Sequence, residues 1–394
     1  MRVCLAAVLL AACSSSLGPD SGVPVRDAGA RGTSCSGPRC GDCAGGQCGS
    51  SGGSSGGDGG AAAPDGGAAD GGDGGGGDAG SADDAGRDAG GATCSQPPCV
   101  DSVGGVLTPE GLAVDPVGNV LVANADEEDI VSIAPGGAIS PFAGSGVQGW
   151  LDGPAATAEF DGPCALALDD AGNLYVADRD GSRIRRIAPG GDTTTVAGNG
   201  DAGWADGTGG PDGTARFSAP RAVAVDASGN LYVADAQNNR IRKIAPDGST
   251  TTLAGNGVAG WADGPGDVAE FQLPSGIAVD AAGNVYVGDS RNNRIREIGP
   301  DGTTTTLAGN GDAGWIDGSG AVVELSQPQG LAIDGAGNVF VADLENGVVR
   351  EVAPDGTTTT LAGTFREPED VALDARGDVY VADTGNGAVD VIRR

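Results

Sequence analysis

The sequence predicts an all-β fold: a six-bladed β-propeller with four-stranded blades, preceded by a disordered Gly/Asp/Ser-rich tether. Two observations carry this. A phrase of small and aliphatic residues closing on Asp recurs six times, at residues 111–115, 165–169, 222–226, 276–280, 330–334 and 370–374. Repetition of that kind marks stacked or radial repeat architectures. The β-branched and aromatic residues, moreover, are nearly confined to residues 100–394, while residues 14–99 are dominated by Gly, Ala, Ser and Asp. Such a stretch cannot bury enough apolar surface to offset its chain entropy. One folded domain, 100–394, is therefore expected.

Within each unit the elements follow in a fixed order. The closing Asp residues are spaced 54, 57, 54, 54 and 40 apart. Each is followed by Gly-Asn or Gly-Asp, then a second strand such as Asn230-Leu231-Tyr232-Val233-Ala234-Asp235. A third strand such as Arg240-Ile241-Arg242-Lys243-Ile244 comes next, then a Pro-Asp-Gly turn and a Thr-rich fourth strand such as residues 250–253. Short β-branched segments punctuated by Gly, Asn, Asp and Pro are strands and turns, and four per repeat describe a propeller blade.

The segments Gly229-Asn230-Leu231-Tyr232-Val233-Ala234-Asp235 and Asn238-Asn239-Arg240-Ile241-Arg242 resemble the NHL repeat, and the resemblance recurs in register across residues 100–394. It implies a propeller of NHL type. The chain departs from the family pattern by placing Asn239 and Asn293 where His often stands. Its first unit is the most divergent, with Asn124 in place of Asp and Ile130-Val131-Ser132-Ile133 lacking arginines. NHL-related peptide-amidating lyases lean on His, and this chain contains none.

The sixth unit provides only three strands before the chain stops. A ring needs a fourth, since an unpaired strand edge invites association. Residues 100–107 precede the first repeat and are apolar enough to fill the gap, so they are expected to pair with the last blade.

Arg2, the apolar residues 3–10 and Leu10-Ala11-Ala12-Cys13 resemble a bacterial lipoprotein signal. The resemblance implies a signal peptide over 1–13, lipidation at Cys13, and an exported protein held at the outer membrane or cell surface. An ordinary secretory signal, giving a secreted protein, is the alternative. No segment reaches the ~20 apolar residues of a membrane helix, so contact with a membrane is expected only through a lipid at Cys13.

Residues 14–99 form the linker, with a mean reach of roughly 50 Å if flexible. It carries three C-x4-C pairs, Cys35 with Cys40, Cys43 with Cys48, and Cys94 with Cys99. In an oxidising compartment these are expected to be local disulfides. A zinc site from the first four is the alternative, but zinc knuckles usually use C-x2-C within a mini-fold.

The formal charge is −32, of which −26 falls after residue 99. A field of that sign repels nucleic acid and anionic lipid. The absence of His removes the commonest general base and metal ligand.

With strands a to d counted outward from the centre, antiparallel order places the a–b and c–d turns on one face. The b–c loops and the long connections between blades share the other, and loops on a rigid scaffold are where binding residues concentrate. Three sets of residues there are candidates. Trp150, Trp204, Trp261 and Trp315 share a Gly-Trp-x-Asp-Gly context. They read as an aromatic platform or as pins for their own insertions, and equal repetition favours pins. Asn124, Asp178, Asp235, Asp289, Asp343 and Asp383 read as a cation-collecting ring or as turn caps, with caps favoured. The third set follows the Pro that opens each innermost strand: Glu110, Cys164, Arg221, Ser275, Gln329 and Glu369. It varies from blade to blade, with five residue types in six positions, where its neighbours repeat, which suits an asymmetric pocket at the channel mouth. Arg183, Arg185, Arg240, Arg242, Arg294 and Arg296 alternate with Ile and are expected to form salt bridges within or between blades.

The reading that results is an envelope or surface-anchored binding protein recognising a protein or glycan through its long-loop face, without a catalytic motif, resident metal or cofactor. The alternatives are a lactonase-like hydrolase, with calcium held by Glu110, Asn124 and Glu369, and an envelope scaffold without a specific ligand.

Overall fold

The computed structural model describes residues 99–394; Cys13, Cys35, Cys40, Cys43, Cys48 and Cys94, with the expected signal and linker, lie outside the described residues. Six antiparallel sheets follow one another along the chain with strands in the order a-b-c-d, and the fifth adds the two-residue strand Gly318–Ser319 outside its strand d. The innermost strands are Pro109–Val114, Pro163–Leu168, Pro220–Val225, Pro274–Val279, Pro328–Ile333 and Pro368–Leu373. Each lies beside the next, and the sixth lies beside the first. The ring is closed.

Closure uses the expected segment with a shorter extent. Cys99–Gly105 pairs antiparallel with Ala388–Arg393, strand c of blade 6, and Cys99 stands opposite Arg393. A register shift between Ser102 and Gly104 interrupts the ladder, which resumes with Gly104 opposite Val389. Leu107 is exposed and takes no part.

The core lies between blades. Strands b, such as Leu231–Asp235 and Val285–Asp289, are buried along their whole length, which is why they read as unbroken apolar runs rather than alternating ones. Phe160, Phe217, Phe271 and Leu325 sit at the end of the long insertions and are fully buried. Each contributes roughly 2–3 kcal/mol by burial, fastening the insertion it closes.

Polar ties set the blade geometry. The Asp after each first strand caps its turn: Asp226 Oδ1 accepts the amides of Ser228 and Asn230, and Oδ2 accepts the Asn230 side-chain amide at 2.8 Å. Burial pushes the Asp226 carboxyl up, but the bonds from Asn230 and Ser228 outweigh it and hold it below the usual value. Asn239 and Asn293, at the position where the family often has His, adopt left-handed φ of 51° and 52°. Their Oδ1 atoms accept the backbone amides of Leu273 and Gln327, stapling each blade to the next.

Candidate functional site

Alternation along the innermost strands builds a channel with an ordered wall. Successive side chains of a strand point to opposite faces, so the first, third and fifth residues after each Pro line the axis. The uppermost ring is Glu110, Cys164, Arg221, Ser275, Gln329 and Glu369, at the mouth on the long-loop face. All six line one cavity of about 320 Å³. Below it, each blade presents two aliphatic side chains in turn, Leu112 and Val114 in the first, Val223 and Val225 in the third. The channel is polar at one mouth and aliphatic beneath.

The mouth is not uniform. Cys164, Ser275 and Gln329 are buried and bonded to the protein. The Cys164 thiol donates towards the carbonyls of Ala177, Pro220 and Arg221, and burial pushes its ionisation far above the ordinary range. Ser275 donates to Leu273 O at 3.1 Å, and Gln329 Nε2 donates to Ser290 Oγ at 3.2 Å. These three are wall rather than ligand groups. The charged members behave differently. Glu110 is paired with Arg179; its carboxyl is nonetheless raised by burial, which Arg179 only partly offsets. Glu369 is pushed up to about 7, by burial first and by the Glu110 charge second, against the pull of Arg221 and Arg179. Among the described residues no hydrogen bond or ion pair engages the Glu369 carboxyl or the Arg221 guanidinium.

Arg179 is the member that sequence reasoning missed. It follows Asp178 in the b–c loop of blade 2, where the other blades carry Ala125, Ala236, Ser290, Leu344 and Thr384. One charged residue in a series of uncharged ones was the available signal.

The other candidates lie elsewhere. Each Trp sits on an insertion that crosses to the outer strand of the following blade. Trp204 Nε1 donates to Thr252 at 3.1 Å, and Trp315 Nε1 to Thr360 at 2.9 Å. Arg183, Arg240 and Arg294 stack on Trp150, Trp204 and Trp261 at 4.8, 4.1 and 3.9 Å. Such contacts contribute about 0.5–1 kcal/mol at exposed sites. The four rings pin the insertions, and the structure does not bring them to the channel mouth.

The acidic ring is buried rather than a cation ring open to the channel. In blades 3 to 6 each Asp accepts the side-chain amide of the Asn three positions on, in the turn that follows, as expected of a cap. In blades 2 to 5 each Asp is buried and bonded to an arginine of strand c: Asp178 to Arg185, Asp235 to Arg242, Asp289 to Arg296, Asp343 to Arg350. The other oxygen of Asp235 accepts the Ser218 amide, just before strand a. The second nitrogen of each arginine reaches the preceding insertion, as Arg242 reaches Asp206 at 2.7 Å. Of the six arginines expected in salt bridges, Arg185, Arg242 and Arg296 form them, whereas Arg183, Arg240 and Arg294 donate to backbone carbonyls instead.

A calcium site does not fit these residues. Asn124 Oδ1 accepts from Thr108, and its amide donates to Asp129 at 3.1 Å, so both ends of its side chain are engaged by protein, and it does not line the cavity that Glu110 and Glu369 share. Among the described residues no three His, Cys, Asp or Glu side chains are grouped to hold a metal.

Two raised carboxyls give stability a pH dependence. Asp370, beside Glu369 in the chain, is pushed up to about 7 by burial, against the bond from the Leu112 amide of blade 1. A carboxyl raised on folding binds its proton more tightly in the folded state. Its contribution is full below the unfolded values of 4.5 and 3.8 and is lost as pH rises through about 7. The turn-capping Asp residues act oppositely, losing their contribution as pH falls below their ordinary 3.8. Thermal melting of the full chain is expected to peak at about pH 5 and fall by about pH 8. Asp370→Asn should remove part of that fall. A melting temperature that rises between those values contradicts the assignment.

Comparison with known proteins agrees with the repeat. Residues 107–245 match the family profile described as the Teneurin NHL domain, and residues 271–298 and 365–392 match the NHL repeat. The chain is 33% identical over 150 residues to Protein SUPPRESSOR OF QUENCHING 1, chloroplastic, of Arabidopsis thaliana. That stretch is 35% of this chain and 14% of the relative, so the chain spans a small part of the relative's length. Among solved structures, an auxiliary nutrient binding protein from Bacteroides ovatus superposes with a TM-score of 0.55 at 15% identity, over 73% of this chain and 70% of the other. A gluconolactonase from Xanthomonas campestris gives 0.54 at 15% identity, over 74% and 88%. At that identity the likeness is one of fold. Six blades in register, a ring closed by the strand ahead of the first repeat, and these profile matches together make the chain an NHL-repeat six-bladed β-propeller.

Proposed function

We propose that the chain is an exported binding protein, without catalytic activity, whose propeller takes its ligand at the channel mouth on the long-loop face. The observation that carries this is the uppermost ring. It is the one channel layer whose chemistry differs from blade to blade, and it leaves an acidic and a basic group without protein partners, whereas both layers beneath are aliphatic throughout. A cavity near the lower end of the ~300–1,000 Å³ of small-molecule sites, with a few convergent polar groups over apolar walls, is built as ligand sites are. The ligand is a protein or glycan, or a fragment of one small enough to enter. The architecture shared with nutrient-binding propellers of Bacteroides supports the same class. An envelope location, with a lipid at Cys13, is part of the proposal.

Screening the full chain against glycan, peptide and lactone panels tests it, with Arg221→Gln and Glu369→Gln in parallel. Retention by the wild type and release by the two variants supports the reading. Lactone turnover that depends on Glu369 overturns it in favour of a hydrolase.

A further inference from the structure

The two unpartnered groups at the mouth differ in sign, and they stand on opposite walls. Arg221 opens the innermost strand of blade 3 and Glu369 that of blade 6. They are near enough for Arg221 to pull the Glu369 carboxyl down against its burial. The other charged pair is satisfied, because Arg179 holds Glu110. What enters the mouth therefore meets one free carboxyl, one free guanidinium and a sleeve of Leu112, Val223, Ile277 and Leu331 below.

Resting on the channel-mouth reading above, we infer that the ligand is a free aliphatic α-amino acid, its carboxylate on Arg221, its ammonium on Glu369 and its side chain in the aliphatic sleeve. Charge complementarity selects this class. A guanidinium holds a carboxylate through two parallel hydrogen bonds, and Glu369 offers acceptors to an ammonium. A simple carboxylate would satisfy Arg221 but leave Glu369 unpaired beside a second anion. An alkylamine would do the reverse. A sugar would place hydroxyls against the aliphatic rings with no partners there, at a cost of roughly 1–3 kcal/mol each. A zwitterion leaves neither charge unmatched, and a cavity of about 320 Å³ suits one residue rather than a chain.

The groups facing Glu369 give the complex a pH signature. Glu110, Arg221, Arg179 and Glu367 all act on it, and its neighbour Asp370 is buried beside it. Below about 7 the free carboxyl holds a proton, which an incoming ammonium must displace. Affinity is expected to weaken as pH falls through that value.

The test is calorimetric titration of the full chain with leucine, its deaminated analogue 4-methylpentanoate and its decarboxylated analogue isoamylamine. Leucine should bind at least about tenfold more tightly than either analogue, equivalent to about 1.4 kcal/mol. Arg221→Gln should erase the preference for leucine over the amine, and Glu369→Gln the preference over the carboxylate. Glu369→Gln should also flatten the pH dependence. Neither side chain has a hydrogen-bonded protein partner, so at pH 5, where Glu369 is protonated, both variants should keep the wild-type melting temperature, whereas at pH 8 Glu369→Gln should melt above the wild type. Equal affinity for 4-methylpentanoate and leucine overturns the inference. If none of the three binds while a ligand found by panel screening still needs Arg221, the inference fails and the binding reading stands. A captured ligand indifferent to both substitutions overturns both.

Discussion

Arg242→Val is expected to lower the stability of the full chain by about 3–5 kcal/mol, the cost of stranding a buried charge. Arg242 is fully buried. Its guanidinium donates to Asp235 Oδ2 at 2.8 Å, to Asp206 Oδ1 at 2.7 Å, and to the carbonyls of Ala205 and Arg216. It also lies 5.2 Å from the Phe217 ring. One side chain thus ties strand c of blade 3 to strand b and to the insertion ahead of it. Removing it leaves Asp235 buried with a charge and no counter-ion. Blade 1 indicates the rescue, because it has Val131 at the arginine position and Asn124 at the aspartate position. The double substitution Asp235→Asn with Arg242→Val should recover at least half the loss. Urea denaturation of the wild type, the single variant and the double variant decides this. A single substitution costing less than about 1 kcal/mol, the scale of an exposed ion pair, would show that the network is not what holds the insertion.

Gly276→Ala should be nearly as damaging for a different reason. A Cβ there would collide with the carbonyl oxygen of Gln329 and lie 3.1 Å from Gly330 Cα, both on the innermost strand of blade 5. Backbone cannot yield as a side-chain end can, so the cost is expected at about 3 kcal/mol, the top of the overpacking range. Its counterpart in blade 3 is Ala222, so blades 3 and 4 are not packed alike. Ala222→Gly should cost only about 0.5–1 kcal/mol through chain entropy. Comparing melting curves of the two variants tests whether inner strands meet at fixed spacing. A harmless Gly276→Ala would mean that blades 4 and 5 can part without loss.

How much of this was legible depended on range. The repeat, the strand order, the closing strand and the uppermost ring all follow from local periodicity, because strand alternation fixes which of residues 109–114 face the axis. The partners of the buried aspartates did not follow. Asp235 bonds Ser218 seventeen positions back and Arg242 seven positions ahead, besides Asn238 in the turn itself, and only the folded blade shows that all three meet on one carboxylate. The direction of the Trp insertions was also hidden, since Trp204 bonds Thr252 forty-eight positions ahead, across to the next blade. Arg179 was readable in principle but demanded a comparison of loop positions rather than strands. Whether Cys164 was a ligand or a wall group turned on three carbonyls from two blades, which no spacing announces.

The pairing of Cys99 with Arg393 makes the propeller a circle cut at a single seam. Strand c of blade 6 runs from the loop face to the turn face, so Cys99 and Arg393 stand together on the face away from the charged mouth. Circular permutation should therefore be well tolerated, as it is where termini adjoin. Joining the two ends and reopening the ring in the short connection at residues 364–367 would preserve every blade's strand order.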